Sequence, residues 1–308
     1  MSSSSTSSWS QLSLLIPPLS PSAHKGQAGR IGVVGGSADY TGAPFFAAYA
    51  AMRLGADLAY NVCTPDAGAV IKTYAPDCIV NTCLGGQQSE EQLQRRMKPL
   101  FERLHAVVIG PGLGRDEAMQ RAGRAAIELA KSLSLPIVLD ADGLWLLAQE
   151  PQLLRGYAAA LLTPNVMEFA RLCEALHIDT SAPDSDEAVK QLAKALGCTV
   201  LEKGKVDRVS NGDQVLHIAA QGGLKRCGGQ GDVLSGCAGT LVAWSTLSAR
   251  RAEVPQAERL MLAAFGAAHV ARECSRRAFE SKGRSMLAHD LLDEVGGAYV
   301  KYFEKQSA

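Results

Sequence analysis

From residue 29 onward the chain alternates short β-branched runs with longer alanine-rich segments, and few folds tolerate that rhythm. "RIGVVGG" reads as a strand running into a glycine turn, and "TGAPFFAAYAAMRLGA" as a helix with Thr41 as N-cap and Gly55 as its stop. "DLAYNVC" is the next strand. "HAVVIGPGLG" is a strand ending in glycines, followed by a helix through "AMQRAGRAAIELAKSL". "PIVLDADG" leads into helical "LWLLAQ", and "AALLTPNVMEFARLCEAL" reads as a strand, a Thr-Pro-Asn turn and a helix. Strand–helix alternation of this kind predicts an α/β fold: three layers, an open and mainly parallel sheet with helices on both faces.

The rhythm breaks at "TVLEKGKVDRVSNGDQVLHIAA", where Asn211-Gly212 is a strong hairpin signal. A hairpin argues against a closed eightfold barrel, in which each strand is followed by a helix, and for an antiparallel edge. After the glycine-rich stretch the text reads as helices over 232–248, 255–276 and 289–304. With no repeat and no later linker, residues 24–308 read as one domain behind a Ser/Pro-rich tail, 1–23, expected to be disordered. The tail has no acidic residue, but it contains no Arg, the chain's first Lys comes only at Lys25, and "LSLLI" is too short for a signal-peptide core. It reads as a flexible tail on a cytoplasmic protein, with mitochondrial import the alternative.

Charge narrows the partners. Thirty-one basic residues balance 31 acidic ones, which argues against a general nucleic-acid binder. No apolar run approaches the ~18 residues that span a bilayer, so no membrane partner is expected. Eight cysteines (63, 78, 83, 173, 198, 227, 237 and 274) form no C-x-x-C pair and read as reduced, mostly buried thiols. Cys227 stands apart because it borders the glycine loop. None of the six histidines has a partner spacing that suggests a metal.

In an open α/β sheet, ligands sit beyond the carboxyl ends of the strands. Here "GGSADYTG", "GPGLGRD", "DADG" and "TPNVMEF" all follow strands, and together they suggest a site for a phosphorylated or nucleotide-like molecule. The P-loop signature is absent, and neither "GVVGGS" nor "GPGLGR" makes a convincing dinucleotide fingerprint. "GGQGD" is more specific. Backbone N–H groups of Gly229, Gln230 and Gly231 at a helix start suit a transferring phosphoryl group. Asp232 would then remove the proton of the attacking hydroxyl. On the competing reading Asp232 is only the N-cap of that helix.

"HKGQAGRIGVVGGSADYTGAP", "GPGLGRD", "TPNVMEFARL", "KGKVD" and "GGQGDVLSG", which follow one another along the chain in the family's order, together resemble the ATP-dependent NAD(P)H-hydrate dehydratases of the ribokinase-like superfamily. The resemblance runs from about His24 to Leu292, and no epimerase region of the kind fused to some relatives is read in it. It implies a repair lyase that phosphorylates the ring hydroxyl of (S)-NADHX or (S)-NADPHX with ATP and then eliminates phosphate.

The same resemblance implies roles. Asp232 would be the base, and Gly229, Gln230 and Gly231 the anion hole. ATP would lie along Lys203, Gly204, Lys205, Val206 and Asp207, and along Gly222, Gly223, Leu224, Lys225, Arg226, Cys227 and Gly228. The hydrated dinucleotide would meet Gly112, Gly114, Asp232 and the run Asn165, Val166, Met167, Glu168, Phe169, Ala170 and Arg171. Asn165 and Glu168 would organise Mg²⁺ through water.

Each residue taken singly has a plainer reading. Asn165 could be only an N-cap, Glu168 and Arg171 a surface pair, Lys203 a solvated strand-end charge, and the glycines tight turns. Asp140 and Asp142 in "LDADG" are strand-end carboxylates that could line the site, though the first reading is as caps of the next helix. A vitamin-precursor kinase, a non-catalytic nucleotide-binding protein and a nicotinamide-dependent oxidoreductase remain rivals. The partners expected are small molecules, with a homo-oligomer left open.

Overall fold

Nine strands form one sheet in the order β3-β2-β1-β4-β5-β6-β7-β8-β9 in the computed structural model, which describes residues 3–180 and 186–304. They are β1 (Arg30–Val34), β2 (Leu58–Val62), β3 (Ile79–Asn81), β4 (Ala106–Ile109), β5 (Ile137–Leu139), β6 (Ala160–Leu162), β7 (Thr199–Glu202), β8 (Asp207–Ser210) and β9 (Val215–Ile218). The ladders joining β1 to β7 are parallel, whereas β7–β8 and β8–β9 are antiparallel. The expected open sheet with an antiparallel edge is therefore present, and Asn211-Gly212 sits in the β8–β9 turn. Its Asn211 Oδ1 accepts from the backbone N–H groups of Asp213 and Gln214, both at 3.1 Å.

Helices cover both faces. They are α1 (Ser3–Leu14), α2 (Gly42–Leu54), α3 (Pro65–Tyr74), α4 (Glu90–Phe101), α5 (Glu117–Ser132), α6 (Asp142–Gln149), α7 (Val166–Ala175), α8 (Asp186–Leu196), α9 (Gln230–Leu247), α10 (Gln256–Lys282) and α11 (Ala288–Tyr299). One core lies between the sheet and α2, α9, α10 and α11; the other lies under α4 to α8. The strand run reverses direction at β1, whose neighbours β2 and β4 lead outward on opposite sides. That reversal opens a crevice beyond the carboxyl ends of β1 and β4, the usual ligand position in such sheets.

α9 reaches this crevice because its small residues let it lie close to α2. A Cβ on Gly236 would fall 2.0 Å from the Ala47 carbonyl oxygen, so the two backbones touch there. The last helices differ from the sequence expectation only at their ends, with a π-helical turn at Val300–Glu304 closing the third.

The tail departs from expectation. Ser3–Leu14 is helical, and Trp9, Leu12 and Leu15 are buried. Their spacing of three residues places them in a stripe against α10, which composition alone had obscured. Trp9 stacks on Tyr302 with centroids 4.9 Å apart and planes 3° apart, and meets Phe265 and His269 edge-on. Trp9→Ala is expected to weaken this docking by about 3 kcal/mol. Limited proteolysis should then cut within α1 while the remainder resists, and unchanged cleavage would contradict the docking.

Candidate active site

Gly229 turns the chain into α9. Its φ of 93° is left-handed, and a Cβ there would lie 2.4 Å from Ala288 and 3.0 Å from the Phe46 ring, so glycine is required twice over. Val233 donates to the Gly229 carbonyl at 3.1 Å as the first intrahelical bond. The N–H groups of Gln230, Gly231 and Asp232 are thus free of intrahelical partners and point out of the positive end of an 18-residue helix. Asp232 stands at the third helical position. That is too deep for an N-cap, so the capping alternative falls away.

Opposite the glycines stands Lys203, brought in by the Lys203 N–H, which donates to the Pro164 carbonyl at 2.8 Å. Its ammonium donates to Asp140 Oδ1 at 2.9 Å, and Thr163 Oγ donates to the same oxygen at 2.8 Å. Asp140 is 2% exposed. A Cβ on Gly231 would lie 3.5 Å from Lys203 Nζ and 3.9 Å from Asp140 Oδ2, so ammonium, carboxylate and the start of α9 share one space. Lys203 is therefore not a solvated charge.

Asp142, too, differs from expectation. The N-cap of α6 is Ala141, with no side-chain cap bond, so neither Asp140 nor Asp142 caps that helix. Asp142 instead accepts from Gly114 N–H and from Arg115 Nε, each at 3.0 Å, which ties the β4 loop to α6.

The carboxylates crowd one another. Burial, then the charges of Asp140, Asp142 and Glu168, push the Asp232 carboxyl up to about 8 against the opposing pull of Lys203. Burial also raises Glu168. Burial alone would lower the Lys203 ammonium, but Asp140, Glu168 and Asp232 more than offset it, and its pKa is raised. The pocket thus holds one carboxyl whose proton is exchangeable near neutrality beside a permanent cation, a pairing typical of functional sites.

The remaining residues singled out by sequence divide in two. Asn165 does cap α7: its Oδ1 accepts from Met167 and Glu168 N–H at 3.0 Å, while Glu168 Oε2 accepts from Asn165 N–H at 2.8 Å. Val166, Met167 and Ala170 are exposed at the same helix end, and Arg171 is half-buried. Phe169 turns the other way and packs in the core near Leu172 and Cys173.

Gly112 packs under Tyr40, its carbonyl accepting from Gly36 N–H at 2.9 Å and Ser37 Oγ at 3.2 Å, so the first glycine loop and the β4 loop are joined. In the Lys203–Asp207 turn, Lys205 is exposed and Val206 half-buried, whereas Asp207 is buried. It accepts from Gly204 N–H at 2.9 Å and from Arg272 twice at 2.6 Å. Asp207 therefore shapes the turn rather than facing the crevice.

The 222–228 loop is stapled at several points. Gly223 N–H donates to Ser275 Oγ at 3.1 Å, and Lys225 donates to the Met286 carbonyl and Arg226 to that of Gly223, each at 2.6 Å. Gln230 Nε2 donates to the Lys225 carbonyl at 3.0 Å and reaches Cys227 Sγ at 3.5 Å. Leu224 and Gly228 are exposed, and Gly222 is half-buried. Arg272, 65 residues from Asp207, carried no sequence signal, and neither did Trp145; Arg115 lies inside "GPGLGRD" but carried no role there.

An open sheet that reverses at β1, with a glycine-opened helix aimed at the crevice, defines a ribokinase-like protein. Solved structures agree on the fold. A ribokinase-like superfamily protein of Enterococcus faecalis superposes with a TM-score of 0.76 at 18% identity, covering 96% of this chain and 94% of the other. The ADP/ATP-dependent NAD(P)H-hydrate dehydratase of Bacillus subtilis, co-crystallized with ATP/Mg²⁺, gives 0.68 at 19% identity, covering 96% and 97%. Sequence comparison goes further. The family model described as NAD(P)H-hydrate dehydratase matches residues 31–296, and the chain belongs to that family. It is 56% identical over 299 residues to the ATP-dependent (S)-NAD(P)H-hydrate dehydratase of Mycosarcoma maydis, covering 92% of this chain and 85% of the relative. With the Homo sapiens protein of the same name it shares 47% over 292 residues, covering 94% and 83%.

Proposed function

We propose that this protein repairs hydrated nicotinamide cofactors, converting (S)-NADHX and (S)-NADPHX to NADH and NADPH with ATP. The observation that carries this reading is Asp232 in the first turn of α9, where the N–H groups of Gln230, Gly231 and Asp232 have no intrahelical partner, with the Lys203 ammonium close to Gly231. ATP lies along the Lys203–Asp207 turn and the 222–228 loop, its γ-phosphoryl group at Gly229, Gln230 and Gly231. The amides and Lys203 stabilise charge on the transferring group. Asp232 takes the proton of the ring hydroxyl as its oxygen attacks phosphorus, and ADP leaves. Hydroxide is a poor leaving group and phosphate a good one. The ring nitrogen's lone pair then expels phosphate, and loss of a proton from the neighbouring ring carbon restores the dihydronicotinamide.

The residues present fit Mg²⁺ in a particular way. Among the described residues, no group of three or more His, Cys, Asp or Glu could hold a metal ion. Asn165 Oδ1 and Glu168 Oε2 are both engaged in the α7 cap. Such a site suits an ion carried mainly by ATP phosphates, with Glu168 and Asn165 touching its water shell. When bound, the ion neutralises phosphate charge.

No helix among the described residues is long and apolar enough to cross a membrane, and the eight free thiols fit a reducing compartment such as the cytoplasm. The test mixes the protein with acid-prepared NADH hydrate, ATP and Mg²⁺ and follows the near-ultraviolet absorbance of reduced nicotinamide. Recovery only with ATP is expected. A stable phosphate ester without recovered absorbance would mean a kinase instead.

A further inference from the structure

Arg115, beside the β4 loop, is fixed on two sides and still has a free edge. Its Nε donates to Asp142 Oδ1 at 3.0 Å, and its guanidinium carbon lies 5.6 Å from the Trp145 ring centre. Asp142 is itself held by Gly114 N–H, so the carboxylate cannot follow the arginine out into solvent. The side chain is nevertheless 57% exposed. An exposed pair of this kind adds little to stability. Nε is committed while Nη1 and Nη2 stay available, and that pair of donors is the one that grips a phosphate.

Electrostatics says why a cation is needed there. Asp140, Asp142, Glu168 and Asp232 act on one another across the crevice, with Lys203 drawn to Asp140. Arg171 stands near enough to Glu168 to counter that carboxylate. A dinucleotide brings a doubly negative pyrophosphate to this acidic surface, and NADPHX adds a 2′-phosphate.

We infer that Arg115, held by Asp142 and Trp145, binds a phosphate of the dinucleotide substrate and so governs how tightly the hydrate is held. This rests on the dehydratase reading above. Arg115 touches no reacting atom, so its effect falls on substrate KM rather than on kcat.

The test compares full-length wild type, Arg115→Ala and Arg115→Lys in steady-state kinetics on (S)-NADHX, (S)-NADPHX and ATP. Arg115→Ala is expected to raise the hydrate KM about 10- to 100-fold, with kcat and the ATP KM within about twofold. Arg115→Lys, which keeps charge but not the fork, should fall between. A rise for both hydrates assigns the pyrophosphate; a rise confined to NADPHX assigns the 2′-phosphate. Unchanged hydrate KM values, or a rise in the ATP KM alone, overturn the inference. Equilibrium binding of NADH and NADPH, read by nicotinamide fluorescence, probes the same contact without turnover. A wild type inactive on hydrates whose NADPH binding still weakens in Arg115→Ala would sink the dehydratase reading alone. Binding unaffected by Arg115→Ala would sink this one.

Discussion

Asp232→Asn is expected to lower kcat for hydrate repair about 10³-fold while raising stability above pH 6. Asparagine keeps the shape of the carboxyl but cannot accept the hydroxyl proton. Its effect on stability follows from where the carboxyl titrates. In the unfolded chain an aspartate releases its proton near 3.8, whereas burial and neighbouring carboxylates hold Asp232 in the folded protein up to about 8. Between those values the unfolded state releases a proton that the folded state retains, so stability falls as pH rises through the window. Asparagine imitates the protonated form and escapes that loss. Wild type and variant should therefore melt alike near pH 4 and diverge progressively up to about pH 8. Equal melting at every pH would show that Asp232 is not desolvated as described. The wild-type kcat/KM profile should likewise rise toward pH 8 rather than level off in the ordinary carboxylate range. Its apparent pKa belongs to the whole cluster.

Much of the fold was legible because local signals and tertiary contacts agreed. Gly55 stops α2 as read, and its N–H donates to the Met52 carbonyl at 3.0 Å. The strands from β4 to β6 are buried apolar runs of three or four residues beside glycine or proline turns. Thr41 occupies the N-cap position of α2 as read, although its side chain makes no cap bond. Residues 65–101 and α8 carried no reading: β3 has only three residues, and α4 takes its start from a Ser89–Gln92 capping box rather than an apolar run. In α1 the serines dominated composition while three apolar side chains decided the structure.

At the candidate site, the glycine-opened start of α9 was legible because its signal sits in consecutive residues. The pairing of Asp140 was not, because its partner Lys203 lies 63 residues away. The same holds for Asp207 and Arg272. Phe169 shows the converse: a contiguous run on a helix includes the residue facing the core, whatever the run binds.

Lys203→Met should produce the largest combined loss of stability and activity. Asp140 is 2% exposed, and two donors meet its Oδ1. Removing the ammonium leaves a buried carboxylate with Thr163 for a partner, which costs about 3–5 kcal/mol. It also removes the charge that opposes protonation of Asp232, so the base is pushed further up. ATP-driven recovery of reduced nicotinamide should fall at least about 10²-fold.

The double variant Lys203→Met with Asp140→Asn separates the two effects. An asparagine oxygen can still accept from Thr163 and carries no charge to strand. Urea unfolding should return the midpoint to near wild type, while turnover stays low because no cation faces the anion hole. Recovered turnover in the double variant would remove Lys203 from the phosphate site and leave it a counter-ion for Asp140. A single variant as stable as wild type would mean that the buried carboxylate does not depend on the ammonium, and the electrostatic account of this pocket would fail with it.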